Sequence, residues 1–165
     1  MSTIKSCRLH SGGLAFLAAC AAIAWATPAS AQGSPEYAVK FVCGDAAPRT
    51  SFAPGTYFTA INIHNPGRED NGFAFKVALA KLGSPGNPTG FSSMVLKSDQ
   101  ATEFDCRLIR RLLGSAVTGT TAFTGFFVIQ PRQFELDVVA VYSAGPVGGP
   151  VATMHTERVP LRMNR

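Results

Sequence analysis

Short apolar runs separated by glycine- and proline-containing turns recur along the chain, and this rhythm constrains the fold more than any other feature of the sequence. The clearest run is 55–64 (GTYFTAINIH), in which every second residue from Tyr57 onward is aromatic or β-branched. A period of two residues belongs to a β-strand whose two faces meet different surroundings. We therefore expect a half-buried strand over 55–64, ended by the Asn65-Pro66-Gly67 turn.

Seven further strands and one short helix are predicted from the same rhythm. The helix is Arg107–Leu113 (RLIRRLL), which has helical spacing and stops at Gly114. The strands are expected at 37–43, 73–82, 94–97, 101–106, 124–130, 135–143 and 152–159. Turns every ~8 to 15 residues are typical of a sandwich or jelly roll. We expect an all-β fold, an antiparallel, jelly-roll-like β-sandwich of about eight strands with one short helix. Its last three strands should form a meander of antiparallel neighbours.

The first 31 residues predict an export signal that is not part of the fold. Lys5 and Arg8 precede the apolar run Leu14–Ala26, and Ala29-Ser30-Ala31 has the form of a signal-peptidase site. We expect cleavage after Ala31, which leaves a single domain at 32–165 in the periplasm or outside the cell. The LAAC sequence that ends at Cys20 also resembles a lipoprotein cleavage box. The apolar run continues past it to Ala26, so lipidation of Cys20 is the less favoured alternative.

Two cysteines remain after such a cleavage, Cys43 and Cys106. An even number of cysteines in an oxidising compartment predicts a disulfide between them. A redox or metal-binding pair is the alternative, but there is no C-x-x-C spacing and no histidine close to either cysteine in sequence.

Two of the predicted strands are apolar on both faces, at Phe126–Ile129 and Val138–Tyr142. A sheet with one face in water should alternate, so both strands need cover on two sides. One explanation is that the Arg107–Leu113 helix and its flanking loops lie over the outer face. The other is that a second subunit covers it, which would make the protein a homo-oligomer through these strands.

No catalytic motif is present, so the search for chemistry rests on a few residues. The sequence has no G-x-S-x-G, P-loop, G-x-G-x-x-G, H-E-x-x-H or EF-hand pattern, and we expect no cofactor. A small hydrolase could use His64 or His155 with Glu103 or Asp105. A copper or zinc carrier could use His64, His155 and Met154. We favour structural roles for these residues, with His64 capping the turn that follows its strand.

The function predicted from these observations is a non-catalytic binding or structural module. Candidate binding residues are His64, Asn65, His155, Arg107 and Arg111, the two arginines sharing one helix face. The chain carries 15 Lys+Arg and 10 Asp+Glu, and loss of Lys5 and Arg8 lowers the net charge from +5 to 13 − 10 = +3. So small a charge on an exported chain argues against nucleic acid. The partner expected is a protein or another envelope component.

Six segments resemble those of small exported bacterial and archaeal proteins that have no assigned function. They are YAVKFVCG, GTYFTAINIHNP, ATEFDC, FTGFFVIQ, LDVVAVYSA and MHTERVPLR, and they cover most of 37–162. In the order of its strands the chain is also similar to the sensory rhodopsin transducer family. That likeness implies a β-sandwich adaptor that forms oligomers, and it supplies no catalytic residue.

Overall fold

Strands dominate the computed structural model, which describes residues 33–48 and 52–164. Residues 1–31, with the expected leader and Cys20, lie outside the described part. Within it the strands are β1 (Pro35–Ala46), β2 (Gly55–His64), β3 (Asn71–Ala80), β4 (Ser92–Leu96), β5 (Ala101–Asp105), β6 (Ala122–Pro131), β7 (Asp137–Gly145), β8 (Thr153–Arg158) and β9 (Arg162–Met163). Helix α1 (Cys106–Leu113) follows β5, and a short 3-10 turn follows the helix at Gly114–Val117. No helix of the described residues is long and apolar enough to span a bilayer.

All strand pairs are antiparallel, and they divide into two layers joined at one corner. Sheet A has the order β4-β3-β6-β1, with β9 added to β1. Sheet B has the order β5-β2-β7-β8. The corner is a three-residue pairing in which Gly44–Ala46 of β1 meets Gly55–Tyr57 of β2. Beyond it β5 takes the same edge of β2 that β1 has left, so β1 and the rest of sheet A fold across sheet B.

Three phenylalanines hold the layers together. Phe104 of sheet B lies with its ring centroid 4.8 Å from that of Phe75 and 4.7 Å from that of Phe127, both in sheet A. Phe75 and Phe127 stack on each other at 5.5 Å. All three side chains are buried, and burial stabilises the fold by about 1.5–3 kcal/mol for each such side chain. The all-β sandwich with one short helix is therefore confirmed.

Helix α1 lies at one end of the core. Asp105 caps it, since its carboxylate accepts a hydrogen bond from the Leu108 amide at 2.8 Å. Ile109 and Leu113 are buried in the same apolar cluster as the sheets, and the helix packs against β1, β2, β3 and β5. The idea that it covers the outer faces of Phe126–Ile129 and Val138–Tyr142 is wrong. Its apolar stripe is used to close the space between the two sheets.

The outer face of β6 remains partly open to solvent. Phe126 is 42% exposed, and the ammonium group of Lys40 lies 4.9 Å from its ring centroid. Cation–π contact and the lysine stem cover part of the ring. Whether a second subunit covers the rest stays a prediction.

The expected meander of the last three strands is wrong in its first half. Strand β6 pairs with β1 and β3 in sheet A, whereas β7 pairs with β2 and β8 in sheet B. The connection from β6 to β7 crosses between the layers, and Leu136 within it is buried. The hydroxyl group of Tyr37 donates to the Leu136 carbonyl at 2.6 Å and accepts from the Leu136 amide at 2.9 Å. This anchoring satisfies backbone groups that a buried connection would otherwise leave unpaired.

The predicted disulfide is confirmed, and it ties the layers at their corner. Cys43 of β1 and Cys106 of α1 are bonded with an S–S distance of 2.06 Å. Beside it Thr59, which is fully buried, bridges the gap where β1 leaves β2. Its hydroxyl accepts from the Val42 amide and donates to the Val42 carbonyl, each at 3.0 Å. A formed disulfide indicates an oxidising compartment outside the cytoplasm.

Candidate functional site

The predicted binding residues fall at opposite ends of strand β2. His64 and Asn65 lie at its carboxyl end. Arg107 and His155 lie near its amino end, around Tyr57 and Phe58.

At the carboxyl end, His64 is held between two carboxylates. Its Nε2 lies 3.0 Å from Asp99 and its Nδ1 lies 3.5 Å from Asp137. Asp137 also accepts from the Arg158 guanidinium at 2.7 Å. These four side chains come from the end of β2, the β4–β5 turn, the start of β7 and the end of β8, so the cluster joins four segments of the chain. Asp99 has the left-handed backbone conformation, φ 60°, which suits a tight turn.

The charge around His64 favours its protonated form. The hydrogen bond to Asp99 raises the pKa of the imidazole most, and Asp137 adds to the effect, while partial desolvation opposes it. No hydroxyl or thiol group of the described residues is bonded to this histidine. The two carboxylates can therefore hold the protonated imidazole of His64 in place, but these contacts offer the histidine no nucleophile to activate.

Asn65 is a structural residue whose hydrogen-bonding groups are all occupied. Its side-chain amide donates to the carbonyls of Glu69, Leu96 and Lys97 at 2.8, 3.1 and 3.1 Å. Its side-chain oxygen accepts from the Gly67 amide at 3.1 Å. The residue is fully buried, so no ligand can reach it.

The carboxylates expected to assist a histidine are placed elsewhere. Asp105 is used as the cap of α1. Glu103 is exposed on the outer face of β5, opposite Asn62. The partners of His64 are instead Asp99 and Asp137, which are 35 and 73 residues away along the chain.

His64 and His155 do not meet. His64 lies opposite Asp137 on β7, and His155 lies opposite Tyr142. Their positions are thus about 17 Å apart along the strands at ~3.4 Å per residue. They also project from opposite faces of sheet B, because strand residues alternate. The described residues contain no group of three or more His, Cys, Asp or Glu side chains that could hold a metal ion.

At the amino end of β2 the surface is concave and aromatic. A cavity of about 240 Å³, which we call the inner groove, opens between the edge of β1 and the core-facing side of β7 and β8. Its lining includes Val42, Tyr57, Thr59, Tyr142 and His155. The rings of Tyr142 and His155 stack with centroids 6.2 Å apart. Burial, followed by the negative charge of Glu157, raises the pKa of Tyr142 to about 12, so its phenol stays protonated.

A second cavity, of about 380 Å³, lies on the other side of Tyr57 and Phe58 and is called the helix groove. Its lining includes Gly44, Arg107, Arg110, Phe123 and the Cys43–Cys106 disulfide. Both grooves are shallow and open to solvent, and Phe58, which lines both, is 39% exposed. The helix groove lies at the small end of the range for ligand pockets, ~300–1,000 Å³, and the inner groove lies below that range.

The arginines of α1 have different roles. The guanidinium of Arg110 stacks on Phe123 at 4.5 Å and donates to the carbonyls of Val117 and Thr120 at 3.3 and 3.0 Å. It therefore fixes the segment after the helix. Arg107 is exposed at the groove rim, and Arg111 is exposed outside it. The predicted pair Arg107 and Arg111 shares a helix face, but only Arg107 belongs to the groove.

Tyr57, Phe58 and Tyr142 were missed as candidate binding residues from the sequence. One signal was available for Phe58. It is the single aromatic residue on the face of β2 that otherwise carries Ala60, Asn62 and His64. A large apolar side chain on the solvent face of an alternating strand indicates a contact surface.

No protein-family model matches the chain, and no curated protein matches it. Among solved structures, a crystal structure of Thermotoga maritima 1070 is similar, with a TM-score of 0.51 and 8% sequence identity. The similarity covers 81% of this chain and 98% of that one. At this identity the likeness shows a shared fold alone.

Proposed function

We propose that this chain is an exported, non-catalytic binding module that takes a segment of a partner protein in the two grooves beside Tyr57 and Phe58. The observation that carries the proposal is that the inner groove and the helix groove share these two aromatic walls. Aromatic side chains at a surface give large contact area and are enriched where proteins bind one another.

The charge of the grooves specifies the partner further. Arg107 and Arg110 line the helix groove, which contains no acidic side chain. A partner with a large apolar side chain next to Asp or Glu would place the apolar group against Tyr57 or Phe58, whose side chains project from opposite faces of β2. Its carboxylate would then reach Arg107, which is exposed and free to form a bidentate contact.

Export is the second part of the proposal. The Cys43–Cys106 disulfide supports a compartment outside the cytoplasm. The leader-like residues 1–31 support secretion or a periplasmic location with cleavage after Ala31. Amino-terminal sequencing of the exported protein should begin at Gln32, whereas a lipid-modified Cys20 at the terminus would contradict this.

The alternative functions lack support from a specific contact. A metal carrier would need His64 and His155 together, and they lie apart on opposite faces. A hydrolase at His64 would have an imidazole and two carboxylates. Among the described residues, however, no hydroxyl or thiol group is hydrogen-bonded to this imidazole.

Selection from a phage-displayed library of random peptides tests the binding function. Purified protein should enrich peptides that combine a large apolar residue with a neighbouring Asp or Glu. The selected peptides should lose most of their affinity for Phe58→Ser and for Arg107→Glu. The control is Phe134→Ser, because Phe134 is 48% exposed but lines neither groove. Failure to enrich any sequence, or equal binding to Phe58→Ser, would contradict the proposal.

A further inference from the structure

Strand β8 is the edge of sheet B, and it is unusually open. All six of its residues, Thr153–Arg158, are exposed, which is true of no other described strand longer than two residues. It pairs with β7 through six consecutive residues without a bulge. None of the described strands lies beside its other edge.

The direction of the backbone groups of β8 follows from its pairing with β7. The Val159 amide donates to the Val138 carbonyl at 2.9 Å, so Val159 belongs to a hydrogen-bonded pair. Hydrogen-bonded and non-hydrogen-bonded pairs alternate along an antiparallel ladder. Residues 153, 155 and 157 therefore bond to β7, and the amides and carbonyls of Met154, Thr156 and Arg158 point away from it.

This exposed edge lacks most of the features that prevent an edge strand from pairing with a strand of another chain. Proteins usually protect an exposed edge with proline, lysine, a bulge or a covering loop. Between Pro150 and Pro160 the sequence VATMHTERV contains neither proline nor lysine. A row of unpaired amides and carbonyls is recognised by one class of ligand, another extended polypeptide strand.

We infer that the strand which binds here is β8 of a second copy of this chain, antiparallel and centred on Thr156. In that register Thr156 lies opposite Thr156 of the second copy, and Met154 lies opposite Arg158. All three are residues whose backbone groups point outward, so each pair exchanges its two hydrogen bonds.

The side chains are complementary in the same register. His155 of one copy lies opposite Glu157 of the other on the core-facing side, and the two-fold axis repeats this contact. An imidazole opposite a carboxylate is a favourable cross-strand pair. On the outer side, the thioether of Met154, which is 73% exposed, packs along the stem of Arg158. The result is one continuous sheet through two copies, with the two inner grooves on its core-facing side.

Site-specific crosslinking tests the register directly. Antiparallel hydrogen-bonded residues have Cα atoms ~5.5 Å apart, within the range for a disulfide. Thr156→Cys should therefore give a covalent dimer under mild oxidation, which runs as single chains on a denaturing gel after reducing agent is added. Thr153→Cys is the matched control, because it is equally exposed on the same strand but is not opposite itself. The unsubstituted protein controls for its own cysteines.

Light scattering of the purified protein measures the association itself. The expected mass is that of a dimer, and Thr156→Pro should make it monomeric. Proline at 156 removes an outward amide and leaves the β7 ladder intact, so folding is checked by an unchanged circular dichroism spectrum. Glu157→Lys should weaken the dimer about tenfold, and the His155→Glu, Glu157→Lys double variant should recover it.

Two results would overturn the inference. One is a monomer at all concentrations. The other is a dimer that persists in Thr156→Pro and fails to crosslink through Thr156→Cys. Peptide binding by a monomeric protein would leave the proposed function standing while refuting the self-pairing.

Discussion

The two ends of strand β2 differ in how much of their bonding capacity is used. At the carboxyl end every hydrogen-bonding group of Asn65 is occupied, and His64 is held by two carboxylates. At the amino end Tyr57 and Phe58 form walls of two grooves that are open to solvent. His64 and Asn65 are the polar residues that the sequence suggested for binding, yet in the structure they hold neighbouring segments together. At the amino end the surface left open to solvent is largely aromatic.

Removal of the disulfide should have the largest effect on stability. The disulfide lies beside the amino end of β2. Replacing both Cys43 and Cys106 by serine opens a loop of 63 residues, for which the chain-entropy model gives a loss of about 4 kcal/mol. Urea unfolding of the double variant measures it. Because Cys43 and Cys106 line the helix groove, peptide affinity should fall as well. A loss of stability below ~1 kcal/mol would show that the corner of the sandwich does not depend on this link.

Asn65→Ala should be the most damaging single change at the carboxyl end. It leaves the buried Leu96 carbonyl, the partly buried carbonyls of Glu69 and Lys97 and one amide without their side-chain partner, at an expected cost of about 3 kcal/mol. Peptide affinity should be unchanged in protein that remains folded. Asn62→Ala is the matched control on the same strand, and its cost should stay within ~0.5 kcal/mol. If the two variants were equally stable, the carboxyl end would not be the rigid scaffold described above.

His64→Gln should produce the smallest change in stability, and the size of that change depends on pH. The folded protein raises the pKa of His64 above its unfolded value of 6.5. The stabilisation is therefore complete below pH 6.5 and is lost as pH rises through the folded pKa. Unfolding measured from pH 5.5 to 9 should show the unsubstituted protein exceeding the variant in stability at low pH only. High salt should reduce the difference, because His64 and Asp99 are accessible to solvent. A difference that grew with pH would contradict the contacts with Asp99 and Asp137.

Local structure and the disulfide were predictable from the sequence, whereas the pairing of distant elements was not. The period of two in 55–64 and the turn residues after it correctly gave β2, and helix α1 was placed to within one residue. Strand neighbours were harder, because the crossing from β6 to β7 depends on the Tyr37 hydroxyl group, 99 residues from Leu136. The partners of His64 were missed for the same reason. A sequence shows that Asp99 and Asp137 exist, but only folding brings them to one histidine.

The central claim is that a partner binds at the amino end of β2, and amide chemical shifts test it most directly. The experiment adds the peptide selected on the purified protein to the isotope-labelled protein. Resonances of Tyr57, Phe58, Arg107 and Tyr142 should move with the peptide concentration, while those of His64, Asn65 and Asp137 should stay in place. Shifts confined to the carboxyl end, with the Tyr57 and Phe58 resonances unmoved at saturation, would contradict the account.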